Sequence, residues 1–195
     1  PIITDDNHQK AKILNIDKKR VMKFLKNNDV IVLAGFQGIS ITGKITSLGR
    51  GGSDTTAVAI AAAVDADRCD IYTDVEGVYT TDPNIVFKAK KISKLAFEEM
   101  LEMSSAGAKV LHTRSVELAM KNNLVMQVLS SLTKKSGTLI VDDTKLIEKE
   151  IVSGVSYSNN EAKITISGIP DKPGISAQLF GLLADKKINV DMIVQ

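Results

Sequence analysis

The chain has 195 residues, 44% of them hydrophobic and 25% charged, with a formal net charge of +2. That length allows one full domain and part of a second. The near-neutral balance, with no Trp, three Tyr and five Phe, argues against a basic, aromatic-studded surface of the kind that stacks nucleic-acid bases.

No apolar run approaches the roughly 20 residues of a membrane span, and no signal-peptide pattern is visible. Cys69 is the only cysteine, which excludes an internal disulfide and a Cys-rich zinc site and reads as a core residue in a reducing cytoplasm. His8 and His112 lie far apart, so no metal site is expected. The first residue is proline, and the chain reads as part of a longer polypeptide.

Residues 17–28 carry a helical period, with Asp17 as cap, an apolar stripe of Val21, Met22, Phe24 and Leu25, and Asn27–Asn28 at the exit. "VIVLAG" (30–35) is a continuous apolar run and predicts a central parallel strand covered on both faces. "ISITGKITSL" (39–48) alternates around a glycine and predicts a hairpin. Thr55–Ala66 is apolar nearly all round, the pattern of a buried helix whose alanines permit close approach to a sheet. "CDIYTD" (69–74) is the next strand and 75–83 a loop. A helix is expected over 93–107, with Phe97, Met100, Leu101 and Ser104 on one face and Gly107 as stop, and a second over roughly 108–121. Strands follow at 124–130 and 137–143. Met100, Met103, Met120 and Met126 read as core packing, and Glu98–Glu99 as a solvated helix face. The alternation of strands and helices predicts an α/β domain with a mainly parallel sheet. Beyond about residue 148, residues 161–195 read strand, loop, helix, strand, with Ile175, Leu179, Leu182 and Leu183 as the helix stripe. One such βαβ unit buries too little surface to stand alone and should show an exposed apolar edge.

Two glycine patterns mislead. "GISITGKI" (38–45) matches most of a phosphate-binding P-loop, but Ile45 stands where a hydroxyl is needed and no helix follows. A hairpin turn at Gly43–Lys44 is the expectation. The stretch from Gly49 misses the dinucleotide pattern, because Asp54 stands where the last glycine belongs.

"LGRGGSD" (48–54) is different in kind. Gly49, Gly51 and Gly52 let the backbone approach a ligand, and the helix N-terminus that follows offers unpaired amides and a partial positive charge. Arg50 adds a planar fork for carboxylate or phosphate. Ser53 or Asp54 would also serve as the N-cap, and a carboxylate beside an anion site makes sense if Asp54 orients a cation or receives a proton. "YTDVEGVYTTDP" (72–83) starts at the end of a predicted strand, where ligands of open α/β sheets collect. It is equally readable as a surface loop with Asx turns. Lys109, at the start of the predicted second helix, opposes the helix dipole and suits an intervening phosphate or a solvated position.

Together "VLAGFQG" (32–38), "LGRGGSDTTA" (48–57), "DRCDIYTDVEGVYTTDP" (67–83), "EEMLEMSSAGAKVLHTRSVELA" (98–119), "GIPDKPG" (168–174) and "INVDMIVQ" (188–195) closely resemble the aspartate kinases of the amino-acid kinase superfamily. The resemblance implies an α/β fold. Residues 1–147 would be the C-terminal part of an amino-acid-kinase-type, mainly parallel sheet sandwiched by helices, and 148–195 a linker and the first half of a ferredoxin-like ACT regulatory unit. It implies transfer of the ATP γ-phosphoryl group to the side-chain carboxylate of L-aspartate, a reaction governed by positioning and charge neutralisation. Arg50, with Gly51, Gly52 and Ser53, would hold aspartate. Asp54 would orient catalytic cations, Lys109 would sit against the phosphates, and Thr73, Asp74, Tyr79 and Asp82 would form the ATP loop. Mg2+ would arrive on the nucleotide. An end-product amino acid, lysine or threonine, would bind paired ACT units of a homo-oligomer through Asp171, Gly174, Ser176, Ala177, Gln178, Asn189, Val190 and Asp191.

The family usually has arginine where Asn84 stands and proline where Thr113 stands. Its opening Lys-Phe-Gly-Gly segment and its aspartate-binding glutamate have no counterpart here, so residues 1–195 alone are expected to lack appreciable kinase activity. A kinase for glutamate or acetylglutamate, and a non-catalytic amino-acid-sensing subunit, are the competing readings.

Overall fold

The structure is a computed structural model that describes residues 2–27, 30–143, 152–158, 162, 164–168, 170, 172–186, 188 and 190. It divides into two units, Pro1–Asn159 and Asn160–Gln195.

The first unit opens with a four-stranded sheet built from β1 (Ile2–Thr4), β2 (Ile13–Ile16), β3 (Gln37–Ser40) and β4 (Ile45–Ser47), in the order β2-β1-β3-β4. β1 runs antiparallel to β2 and parallel to β3. β3 and β4 form the expected hairpin, closed by Ser40 N–H to Lys44 O at 2.8 Å, with Gly43 at φ 83°. The backbone of 38–45 is spent on strand pairing, which disposes of the P-loop pattern. The buried hydroxyls of Thr4 and Thr46 satisfy each other at 2.6 Å across the sheet. Between β2 and β3 lies α1 (Lys18–Asn27). Asp17 caps it as anticipated, accepting the Arg20 N–H at 3.0 Å. Of its apolar stripe Val21 is buried, while Phe24 and Leu25 are exposed.

The run 30–35 is not a strand. Val32 is 94% exposed, and the neighbouring Phe36 directs its carbonyl to Leu48 N–H at 2.9 Å and its N–H to Thr56 Oγ1 at 3.1 Å. Apolarity makes burial favourable, but a strand also needs a neighbouring backbone to receive its polar groups, and none pairs with 30–35 among the described residues.

The second sheet holds the core. α2 (Gly52–Ala63) leads into β5 (Cys69–Thr73), and β6 (Lys94–Ala96) leads directly into α3 (Phe97–Ser105). α4 (Thr113–Lys121), β7 (Met126–Ser130) and β8 (Thr138–Val141) complete the set, with strand order β5-β7-β8-β6. The β5–β7 and β6–β8 pairs are parallel and β7–β8 is antiparallel. This is the α/β class expected, with a mostly parallel sheet. The register pairs Cys69 with Met126 and Ile71 with Val128, so alternate side chains of both strands enter one core. There they meet Val58 of α2, Phe97, Met100 and Met103 of α3, and Val116 and Ala119 of α4. Met100, Met103 and Met126 are core residues, as read from the sequence, and Met120 packs against them partly buried.

Two boundaries and one side-chain environment differ from expectation. Lys94–Ala96 is a strand rather than the first helical turn, because it pairs with Leu139–Val141 of β8. The following helix starts at Thr113, not 108, since Gly107 turns at φ 113°. Glu99 is not a solvated residue: its carboxylate accepts the Ala96 N–H at 2.9 Å, closing the start of α3, and also takes the Ser153 hydroxyl. Glu98 is exposed as expected.

In the second unit α5 (Ile175–Asp185) follows Gly174, which caps it at φ 95°. No strand is assigned to residues 162 and 164–168, so the expected strand there is not formed among the described residues. Of the strand expected near the end only 188 and 190 are described, neither as a strand. The expected apolar exposure is present: α5 buries none of its residues, Leu182 is 68% exposed and Ile164 73%.

Met100, fully buried at the centre of this core, provides the test of the packing. Met100→Ala is expected to destabilise the first unit by about 2–5 kcal/mol in urea unfolding, whereas Glu98→Ala on the exposed face should stay within about 0.5 kcal/mol.

Candidate functional site

The site residues collect where helices and parallel strands of the second sheet begin and end. At the entrance of α2 the chain turns sharply through Gly51, whose φ of 69° makes it the N-cap in place of Ser53 or Asp54. A Cβ on Gly51 would stand 2.3 Å from the Cβ of His112, so the turn closes against that histidine only because glycine occupies it. Within the turn, Gly52 N–H reaches Gly49 O at 2.9 Å and Thr55 N–H reaches Gly51 O at 3.0 Å. The amides of Ser53 and Asp54 are then the first-turn donors available to a ligand. Arg50 and Ser53 are exposed, and Asp54 is half-buried.

His112 is the hinge of this arrangement. It precedes α4, its Nδ1 accepts the Arg114 N–H at 3.4 Å, and its carbonyl accepts the Ser115 hydroxyl at 2.7 Å. Lys109 is not a first-turn residue of α4, contrary to the sequence expectation. It is exposed in the segment linking α3 to α4, so the dipole argument for it falls away. It nevertheless lies three residues before His112, a reach of about 10 Å at most. Arg50 thus adjoins the contact between the Gly51 backbone and the His112 side chain, and Lys109 lies three residues from it along the chain.

Burial raises the Asp54 carboxyl above its ordinary value, and the nearby His112 partly offsets this. Burial likewise pushes the Cys69 thiol up to about 11, aided by Asp70 and Asp54, which leaves it inert.

The second group lies at the carboxyl end of β5. Thr73 donates its hydroxyl to Asp74 at 3.0 Å, and its carbonyl receives both the N–H (2.8 Å) and the hydroxyl (3.0 Å) of Ser131 beyond β7. Beyond Gly77, Tyr79 pairs with Lys91 in an isolated bridge. Asp82 folds the loop tip, accepting Asn84 N–H at 2.9 Å through its side chain and Val86 N–H at 2.9 Å through its carbonyl. Asn84 is therefore part of that Asx turn. The segment from Val78 to Ile92, which carries the loop tip, is closed at both ends by Thr138, fully buried on β8. Its hydroxyl takes the Val78 N–H at 2.8 Å and donates to Ile92 O at 2.5 Å. α2 packs against β5, which connects the two groups within one unit.

Among the described residues no group of three or more His, Cys, Asp or Glu could hold a metal ion. No helix among them is long and apolar enough to cross a membrane. In the second unit Gly174 caps α5, Ser176, Ala177 and Gln178 are exposed on its first turn, and Val190 is 44% exposed. Asp171, Asn189 and Asp191 lie outside the described residues.

Sequence reasoning missed His112, Arg114, Phe36 and Thr138. Phe36 is held at φ 69°, an unusual backbone for an aromatic residue, with its ring edge 2.9 Å from where a Gly52 Cβ would stand. The other three act on backbone groups distant in the chain, which no local pattern reveals.

Residues 2–130 match the model of the Amino acid kinase family, and residues 164–195 match that of the ACT domain. The chain belongs to the amino acid kinase family. Among its relatives it is 53% identical to an aspartate kinase of Pseudomonas putida, covering all of this chain and 47% of that protein. It is 50% identical to an aspartokinase of Helicobacter pylori, covering all of this chain and 49% of that protein. The structure aligns over its full length with Escherichia coli aspartokinase III in complex with aspartate and ADP (R-state), at 33% identity, a TM-score of 0.75 and 44% coverage of that chain. The same enzyme in complex with lysine and aspartate (T-state) aligns at 31% identity, a TM-score of 0.71 and 45% coverage. The chain spans about half the length of the curated relatives it matches.

Asp54 generates a pH prediction. A carboxyl raised in the folded state binds its proton more tightly there than in the unfolded chain, so its contribution to stability is greatest below the ordinary value of 3.8 and is lost as pH rises through the folded value. Asp54→Asn removes that loss. The variant's melting temperature relative to the parent is therefore expected to rise between about pH 3 and pH 7, and a relative fall across that range would refute the burial of this carboxylate.

Proposed function

We propose that this chain forms part of an aspartate kinase, which transfers the γ-phosphoryl group of ATP to the side-chain carboxylate of L-aspartate and yields 4-phospho-L-aspartate and ADP. The observation that carries the reading is identity at about half of all positions, over the entire chain, with proteins named aspartate kinase. The residue geometry supports it independently.

Both reactants are anions, and their approach must be made favourable by positive groups fixed in advance. Arg50 supplies a fork for a carboxylate of aspartate, and the Ser53 and Asp54 amides at the entrance of α2 add donors from a turn that cannot yield, because His112 backs Gly51. Lys109, on the other side of His112, is available to the phosphoryl oxygens. The half-buried Asp54 holds the cationic groups in register and offsets their mutual repulsion. The loop from Thr73 to Asp82, anchored by Thr138, receives the nucleotide at the carboxyl end of β5, where open α/β sheets bind ligands. These residues build no cage for Mg2+, which would be carried by the phosphate oxygens of the nucleotide.

The ACT match supports a regulatory role for the second unit, with lysine or threonine as effector. The lysine complex of the aligned E. coli enzyme favours lysine. Binding would use Gly174, Ser176, Ala177, Gln178 and Val190, with Asp171, Asn189 and Asp191, at an interface between paired ACT units of a homo-oligomer. An inert single thiol suits the reducing cytoplasm.

A coupled ADP-release assay on the full-length protein tests the reading. Phosphorylation of aspartate but not glutamate is expected, and the reverse would overturn it. Arg50→Ala should raise the KM for aspartate by about 10–100-fold, the cost of a charge-assisted hydrogen bond, with the KM for ATP little changed. Residues 1–195 alone should give no appreciable turnover.

A further inference from the structure

We infer that Arg114 is a positioning residue for the proposed reaction: through the carbonyls of Leu48 and Ala11 it fixes the turn that presents Arg50. The inference rests on the assignment of Arg50 to substrate binding, and it adds a residue that touches no reactant.

Arg114 is the second residue of α4 and is half-buried. A cation there opposes the helix dipole, so its retention calls for specific partners. Its guanidinium has two. Nη1 donates to Leu48 O at 3.0 Å and Nη2 to Ala11 O at 2.8 Å. Both carbonyls belong to buried residues, Leu48 at 1% exposure and Ala11 at 0%. Buried acceptors left without donors are costly, which makes the clasp hard to undo locally.

The two carbonyls lie on the two strips of chain that shape the Arg50 turn. Leu48 is two residues before Arg50 and donates its own N–H to Phe36 O at 2.9 Å. Ala11 donates its N–H to Ser47 O at 3.1 Å. The loop leading to Ala11 presses on the turn itself, since a Cβ on Gly49 (φ 76°) would stand 2.6 Å from Gln9 O. Arg114 therefore holds the approach to Arg50 at Leu48, while His112, two residues earlier in the chain, closes the departure at Gly51. One short segment at the entrance of α4 fixes both ends of Gly49–Arg50–Gly51. The geometry requires arginine: a planar fork spans two separate acceptors, whereas a lysine ammonium offers a point charge on a flexible stem.

The test uses the full-length protein with Arg114→Met, which keeps length and removes the fork, and Arg114→Lys, which keeps charge. The first readout is steady-state kinetics. Arg114→Met is expected to raise the KM for aspartate about tenfold or more with the KM for ATP changed less than about twofold, and Arg114→Lys to fall between it and the parent. The second readout needs no activity: limited trypsin cleavage after Arg50, followed by mass spectrometry, should be several-fold faster in both variants than in the parent or in a Lys121→Ala control. Unchanged cleavage after Arg50 overturns the inference, as does an equal rise in both KM values. Should Arg114→Met fail to fold, Arg114→Lys alone decides by the same two readouts. Faster cleavage in the variants, together with a parent protein that does not phosphorylate aspartate, would leave the clasp standing and remove the substrate assignment instead.

Discussion

Everything in the proposed site hangs on a contact made by an absence. Gly51 has no side chain, and His112 occupies the space where one would be. The entrances of α2 and α4 are thereby pressed together, with Arg50 immediately before Gly51 and Lys109 three residues before His112 in the chain. Each helix entrance carries a partial positive charge, and Arg50 stands just ahead of the entrance of α2. In the proposed function, two anionic reactants would exchange their mutual repulsion for attraction to these positive groups.

Asp54 belongs to the same balance. Its carboxyl is half-buried and its charged form is disfavoured by desolvation, with only His112 identified as offsetting this. A residue that weakens the fold at neutral pH and yet stands in the first turn of a helix fits a site shaped for reaction rather than for stability. Cys69 shows the opposite condition: more deeply buried, and uncharged at ordinary pH, it packs as a small apolar side chain.

Much of the fold was legible because the signals are local. The hairpin at 37–47, the apolar helix α2 and the strands β5, β7 and β8 each announce themselves by period or by turn residues within a few positions. The run 30–35 was misread because apolarity reports a preference for burial and says nothing of whether a pairing backbone is nearby. β1 and β2 escaped notice because three or four residues are too few to establish a period. Lys94–Ala96 was absorbed into the helix it precedes for the same reason. Within the site, the glycines and Arg50 could be read from chemistry at one spot in the chain. Arg114 could not: its partners lie 66 and 103 residues away and are backbone carbonyls, which have no signature in the sequence. Lys109 was singled out for its relation to a helix that begins five residues later than expected, at Thr113.

Thr138 has a consequence for how this protein can change over time. Because one hydroxyl on β8 binds Val78 and Ile92 together, the thirteen or so positions between them form a cassette whose attachment points do not depend on its contents. Changes at its tip, beyond the Tyr79–Lys91 bridge and the Thr80–Lys90 pairing, would leave these attachment points in place. Of the proposed nucleotide contacts, Tyr79 and Asp82 lie inside this cassette and are free to vary with it, whereas Thr73 and Asp74 stand outside it at the end of β5.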